Sequence, residues 1–179
     1  MFRVRTNKGF TLVEAIIVIT IVGIIGSIGV ASILTATDAV AFLTVRSHMD
    51  QSADVAMSRM AEEIVRLRND ASITVANVNQ FSFIDIDGNS ISYSLSGIDL
   101  IRTTLTSSDI LASDVGGLTF RYFADDGNEL VVPGGIILSP LTNIRRIQVL
   151  LTLQGGSYTF EYQTQVRPRN LRHLCYKFK

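Results

Sequence analysis

Cysteine is nearly absent from this 179-residue chain: Cys175 is the single one, so no internal disulfide and no cysteine-based metal cluster is available. Histidine is scarce too, with His48 and His173 far apart and without ligand partners at metal-binding spacing. There is no Trp and there are only 3 Pro, and 18% of residues are charged. The first thirteen residues contain no acid; Arg3, Arg5 and Lys8 form a basic leader, while all 16 acidic residues lie from Glu14 onward. Beyond that leader the body is mildly acidic, without the basic stripe of a nucleic-acid binder. Mean hydropathy is +0.32 and 47% of residues are hydrophobic, which excludes a disordered or low-complexity chain.

What is present is one long apolar run. Ala15 to Thr37 contains no charged residue and is rich in Ile and Val. As a helix it is roughly 34 Å long, enough to cross a hydrocarbon core of about 30 Å. Basic residues precede the run; Asp38, Asp50 and Asp54 against Arg46 follow it. The positive-inside bias therefore puts the N-terminus in the cytoplasm and the rest outside. An ordinary secretory signal is the alternative, with Gly29-Val30-Ala31 as a cleavage site and release of a binding module. The length of the run and the acid Glu14 at its start oppose it.

A carboxylate in a membrane helix costs about 2.5–3.5 kcal/mol near the centre and less near an end. Glu14 therefore calls for a compensating cation. It stands in Lys8-Gly9-Phe10-Thr11-Leu12-Val13-Glu14. This segment resembles the class III signal of type IV prepilins and type II secretion pseudopilins. The resemblance implies cleavage between Gly9 and Phe10 by a prepilin peptidase/N-methyltransferase, and methylation of the new N-terminal Phe10. It makes Glu14 the assembly acid, paired with the Phe10 ammonium of a neighbouring subunit. A cleaved α-amine titrates near 7.7–8 and stays cationic when methylated. The implied partners are other pilin or pseudopilin subunits, an inner-membrane assembly platform and the membrane itself.

Beyond Thr37 the pattern turns amphipathic. Val45, Met49, Ala53, Ala56, Met60, Ile64 and Leu67 recur at three- and four-residue steps, and Asp50, Asp54, Arg59, Glu62, Glu63, Arg66 and Arg68 occupy the other faces. No Pro interrupts 10–69, so one helix continues through both patterns. The stripe is expected to pack on a sheet; a coiled-coil seam is the alternative. Gly23, Gly26 and Gly29 favour close helix packing within the span.

From Ser72 the period becomes two. Phe81–Ile86 and Ser90–Ser96 flank Asp87-Gly88-Asn89, a hairpin signal. A strand over Leu100–Leu105 follows, then a loop or short helix over 106–117. Leu118, Phe120 and Tyr122 share one face of a further strand that turns at Asp126-Gly127-Asn128 into 129–132. Ile144–Leu153 and Ser157–Val166 flank Gly155-Gly156 as a second hairpin. The tail 167–179 is basic and reads as peripheral. The Asp-rich turns lack the full ligand spacing of a calcium loop, and hairpin turns account for them.

The predicted fold is α+β, a long transmembrane-to-amphipathic helix on an antiparallel sheet head. Its segments are a cleaved leader (1–9), a membrane span (10–37), the amphipathic continuation (38–70) and a periplasmic head (71–179). The order of helix, strands, loop and strands, with Arg145-Arg146 before the last hairpin, is similar to J-type minor pseudopilins and related minor pilins. No Ser/His/Asp set, Walker loop or GxGxxG occurs, so neither an enzyme, a metal site nor a cofactor is predicted. Lacking the cysteine pair that staples many major pilins, the chain resembles a minor subunit.

Overall fold

Rich in Ile, Val, Ala and Met and without Pro, Leu12–Val65 forms a single helix, α1. The computed structural model describes Gly9, residues 11–130 and residues 143–171. The chain divides into two compact units, residues 1–44 and 45–179, with α1 running through both. In the last turn of α1 the Arg66 and Leu67 N–H groups donate to the carbonyls of Glu63 and Ile64, a tightened i→i−3 pattern that ends the helix.

Ten elements follow one another in chain order: α1, a 3-10 turn (η1, Asp70–Ser72), then β1 (Ile73–Ala76), β2 (Gln80–Ile84), β3 (Ser90–Ser96), β4 (Asp99–Thr104), β5 (Ser108–Ala112), β6 (Val115–Phe123), β7 (Arg146–Gly155) and β8 (Tyr158–Val166). They make two antiparallel sheets, a five-stranded one in the order β1-β2-β3-β4-β5 and a three-stranded one in the order β6-β7-β8. The α+β, pilin-like architecture is thus a long N-terminal apolar helix followed by antiparallel sheets.

Both expected hairpins form. Phe83 faces Ile91 across β2–β3, and Leu151 faces Tyr162 across β7–β8. Their turns need left-handed backbone, and Gly88 (φ +88°) and Gly156 (φ +62°) supply it. The Asp85 carboxylate holds the first turn, accepting from the Asp87 N–H at 2.9 Å, the Asn89 N–H at 2.8 Å and the Asn89 side-chain amide at 3.1 Å. The expected loop or short helix over 106–117 is instead β5 and the start of β6. Ile101 pairs with Ile110 and Thr103 with Ser108, so β4 recruits a polar, mostly exposed edge strand. Edge strands carry little hydrophobic alternation, and here long-range pairing overrides the weak local pattern. The strand reading of 131–132 lies outside the described residues.

The core is one cluster. Met49, Ala53, Ala56, Met57, Met60, Ile64 and Leu67 of the helical stripe bury against inward residues of the strands. At its centre Phe81 lies 5.2 Å from Phe83, 5.7 Å from Phe120 and 5.9 Å from Tyr122. The two sheets are also joined by backbone: the Phe120 N–H donates to the Val78 carbonyl at 2.7 Å and the Val115 N–H to the Ile98 carbonyl at 2.8 Å. The stripe packs on sheets within one chain, as the periodicity predicts.

Candidate functional site

At the N-terminal end, Thr11 caps α1. Its Oγ1 accepts from the Glu14 N–H at 3.3 Å, and its carbonyl accepts the first helical bond from Ala15 at 3.2 Å. Thr11 and Glu14 stand at the N-cap and N3 positions, the spacing of a capping box, with the threonine half of it formed. An acid in this first turn also complements the positive end of the helix dipole. The structure therefore gives Glu14 a local helix-starting role that the sequence reading missed, although Thr-x-x-Glu before an apolar run is its recognised signal. Glu14 is exposed. Phe10 lies outside the described residues. Gly9 is exposed, and a Cβ there would meet nothing within 4 Å.

Behind this cap every described residue from Thr11 through Ala41 is exposed. The 18-residue window of highest hydropathy averages 2.6 with none of it buried, and α1 is long and apolar enough to cross a membrane. Ile16, Ile19, Val22, Ile25, Ile33 and Leu34 are among the side chains left in the open. In contrast, the polar side chains of the run are satisfied inside the helix. Thr20 donates to the Ile16 carbonyl at 2.7 Å, Ser27 to Ile24 at 2.8 Å, Ser32 to Ile28 at 2.9 Å, and Thr37 to Ile33 at 2.9 Å. Back-bonded hydroxyls and an intact backbone ladder suit a helix that enters hydrocarbon, where unsatisfied groups are costly. Gly23, Gly26 and Gly29 each have open space beside them, so close approach of another helix would meet no side chain there.

The second feature is a charged cluster within the head. Glu63 was expected on a solvent face; it is buried, at 8% exposure. Three partners explain this. Arg102 Nε donates to both carboxylate oxygens at 3.0 and 2.9 Å, Arg59 Nε lies 2.7 Å from Oε1, and the Tyr93 hydroxyl donates to Oε2. Burial alone would raise the Glu63 pKa, but these bonds and charges outweigh it and hold the carboxyl below the usual range. The cluster ties α1 to β3 and β4. It underlies a polar cleft of about 540 Å³ bordered by Arg66, Asp87 and Thr104. No sequence signal distinguishes Glu63 from Glu62 beside it, because Arg102 lies 39 residues away.

His48 is exposed, whereas His173 and Cys175 lie outside the described residues. Arg145 reaches Asp70 at 3.5 Å, and Arg146 stacks over the Phe123 ring at 5.4 Å. The start of the tail is not peripheral: Pro168 and Leu171 are buried, because the Arg169 N–H and the Asn170 side chain tie that segment to the carbonyls of Val65 and Leu67.

No curated protein matches the chain at a significant level. A family model does match the N-terminal site, over a range that includes Gly9, Phe10, Glu14 and the exposed apolar part of α1. Residues 4–34 carry the prokaryotic N-terminal methylation motif, the class III signal of type IV pilins and pseudopilins.

Proposed function

We propose that this chain is a structural subunit, a minor pilin or minor pseudopilin, of a type IV pilus or type II secretion pseudopilus. The observation that carries the reading is the methylation motif over residues 4–34, which runs into a helix whose apolar side chains up to Ala41 are all exposed. Membrane anchoring through that helix comes first. The N-terminus lies in the cytoplasm and the head in the periplasm, following the basic leader. Prepilin peptidase then cuts between Gly9 and Phe10, removing 1–9, and Phe10 is methylated. On the assembly platform the apolar helix leaves lipid for contacts with neighbouring subunits. The Phe10 ammonium of one subunit then meets Glu14 of another in low dielectric. The charge pair selects register, since either partner left alone in apolar surroundings is costly. Minor status is supported by the single cysteine, Cys175, where major pilins often carry a stapling pair.

The test is processing. Among the described residues nothing lies within 4 Å of a Cβ placed at Gly9, and its small size is read as answering to the peptidase site. In cells with the peptidase, N-terminal sequencing should find a mature chain starting at Phe10 with a methylated amine. Gly9→Val should leave the uncut precursor. Mature protein at normal yield from Gly9→Val would overturn the reading. A start near Ser32 would establish instead a secreted binding module released by ordinary signal peptidase.

A further inference from the structure

The outer strands of the two sheets differ in how they are protected. β1 has four residues and β5 has five, and the ladder that holds each contains a register shift, between Ile73 and Val75 and between Leu100 and Ile101. Short, irregular edges pair poorly with other chains. β6 is tied to the other sheet, its Phe120 N–H donating to the Val78 carbonyl at 2.7 Å. β8 has none of these protections. It is nine residues long, pairs with β7 from Tyr158 to Val166 without a shift, and contains no Lys, Arg, Pro or Gly. Every second residue turns its N–H and C=O away from β7, and no strand meets them among the described residues.

The inner face of β8 is also less covered than that of its neighbour. Phe160, Tyr162 and Thr164 are half-buried, whereas Val149, Leu151 and Leu153 of β7 are buried. Beside them, between β8 and α1, lies a groove of about 720 Å³ with Ala53, Met57 and Ala61 as its apolar floor. Asp50 and Asp54 are the charged residues that line it, and both are acids. Asp50 has partners: the Tyr162 hydroxyl donates to it at 2.6 Å, and Arg46 lies 3.6 Å away. Asp54 is exposed and has no ion pair or side-chain hydrogen bond among the described residues. β8 and α1 run in the same direction along the groove: Gly155 lies beside Val45, Tyr162 beside Asp50, and the Arg169 N–H at the Val65 carbonyl.

A strand added to β8 therefore runs along α1. Its side chains alternate, and those on the Tyr162 side fall on the groove about every 6.8 Å. Asp50 and Asp54 are about 6 Å apart along the helix, and the stretch from Met57 to Ala61 is centred about 7.5 Å beyond Asp54. Three successive groove-facing residues thus stand level with Asp50, Asp54 and the apolar floor. The entering backbone strips water from both carboxylates, a cost that cations offset. We propose that β8 receives an extended edge strand of a different protein, paired antiparallel, whose groove-facing side chains read apolar, cation, cation from its N-terminal end. The apolar residue covers Met57 and Ala61, the first cation meets Asp54, and the second reaches Asp50. A second copy of this chain does not fit, because its outer strands β1, β5 and β8 contain no Lys or Arg and bring Asp54 no cation. Backbone bonds to β8 give the affinity, and the two acids give the selection. The inference concerns the head alone, and its failure leaves the filament reading untouched.

A designed peptide tests it. Acetyl-Thr-Val-Thr-Val-Thr-Arg-Thr-Arg-Thr-amide puts both Val and both Arg on one face. It should bind the full-length chain in detergent, bind less tightly as salt rises, and protect the outward β8 amides from hydrogen exchange. An isomer with both Arg moved to the other face, Thr-Val-Thr-Val-Arg-Thr-Arg-Thr-Thr, should bind about tenfold more weakly. Asp54→Lys should weaken binding of the first peptide by a similar factor. Replacing that peptide's first Arg by Glu should restore binding to Asp54→Lys, a rescue that a merely damaged head would not show. No binding, equal binding of the two isomers, or no rescue would overturn the proposal. Outward β8 amides already protected before peptide is added would also overturn it, the edge then being filled from within the chain. So would self-association that the peptide competes away, which would assign the edge to a second copy.

Discussion

Glu63 and Glu14 are two acids on one helix with opposite surroundings. Glu63 is buried against Arg102, Arg59 and Tyr93, and removing its charge leaves Arg102, itself 14% exposed, with the longer contact to the exposed Asp109 at 3.4 Å in place of its bidentate partner. Losing one partner of a buried pair costs about 3–5 kcal/mol; since Arg59 is half in water, Glu63→Ala should cost about 2–4 kcal/mol in denaturant unfolding of the full chain. The pH dependence has a definite sign. A carboxyl held below its unfolded pKa stabilises fully above that unfolded value, about 4.3, and loses the contribution as pH falls through the lower folded value. The stability gap between wild type and Glu63→Gln should be constant at neutral pH and shrink steadily below about pH 4.3. A gap that persists unchanged at pH 2 would show that packing, not charge, is what Glu63 supplies.

Glu14 has a local role, as an acid in the first turn of α1, and a proposed intersubunit one. Thr11→Ala separates them, because it removes the cap and keeps the carboxylate, at a cost of about 1 kcal/mol to the first turn. Glu14→Ala should insert and be cleaved normally but crosslink poorly to neighbouring subunits in membranes with the assembly machinery, with Glu14→Gln intermediate. Thr11→Ala should crosslink near wild-type level. Equal loss in Thr11→Ala and Glu14→Ala would reduce Glu14 to a helix cap.

Among the elements, the β7–β8 hairpin meets α1 most tightly at Gly155. A Cβ there would fall 2.5 Å from Val45 Cγ1 and 3.4 Å from Met49 Cγ. Val is stiff at χ1, so it cannot swing aside cheaply. Gly155→Ala should therefore destabilise the head by about 1–3 kcal/mol, and Val45→Ala in the same chain should recover much of that. A strictly additive double variant in thermal unfolding would contradict this contact. The hairpin itself was legible from its alternation and the Gly155-Gly156 pair, but the reason for a glycine at 155 was not. That reason is a side chain more than a hundred residues earlier, which only the packed helix brings near. Likewise β5 was invisible locally, because Ser108-Asp109-Ile110-Leu111-Ala112 reads as loop until β4 offers it hydrogen bonds.

For the whole molecule, the stripe of α1 is part of the head's core. Met49, Met57, Met60, Ile64 and Leu67 are buried there, and each fully buried apolar side chain of this size contributes about 1.5–3 kcal/mol. Their joint loss is on the order of 10 kcal/mol, comparable with the entire stability of a domain. A chain beginning at Ser47 should be soluble and unfold cooperatively, whereas one beginning at Ser72 should aggregate or lack a cooperative transition. Equal melting temperatures would mean that the helix contributes nothing to the sheets. Among the described residues nothing covers the N-terminal part of α1, and so large an exposed apolar surface fits membrane anchoring.

The features written in consecutive residues were legible without coordinates: the basic leader, Gly9-Phe10 with Glu14, the apolar run, the helical stripe and the glycine-marked hairpins. Each rests on local chemistry, namely charge order, hydropathy period and the backbone freedom of glycine. Tertiary structure alone decided the division into two sheets, the recruitment of β5, the burial of Glu63 and the contact of Gly155 with Val45. These depend on groups far apart in sequence, and only folding brings them close enough for a salt bridge to offset desolvation or for a missing Cβ to matter.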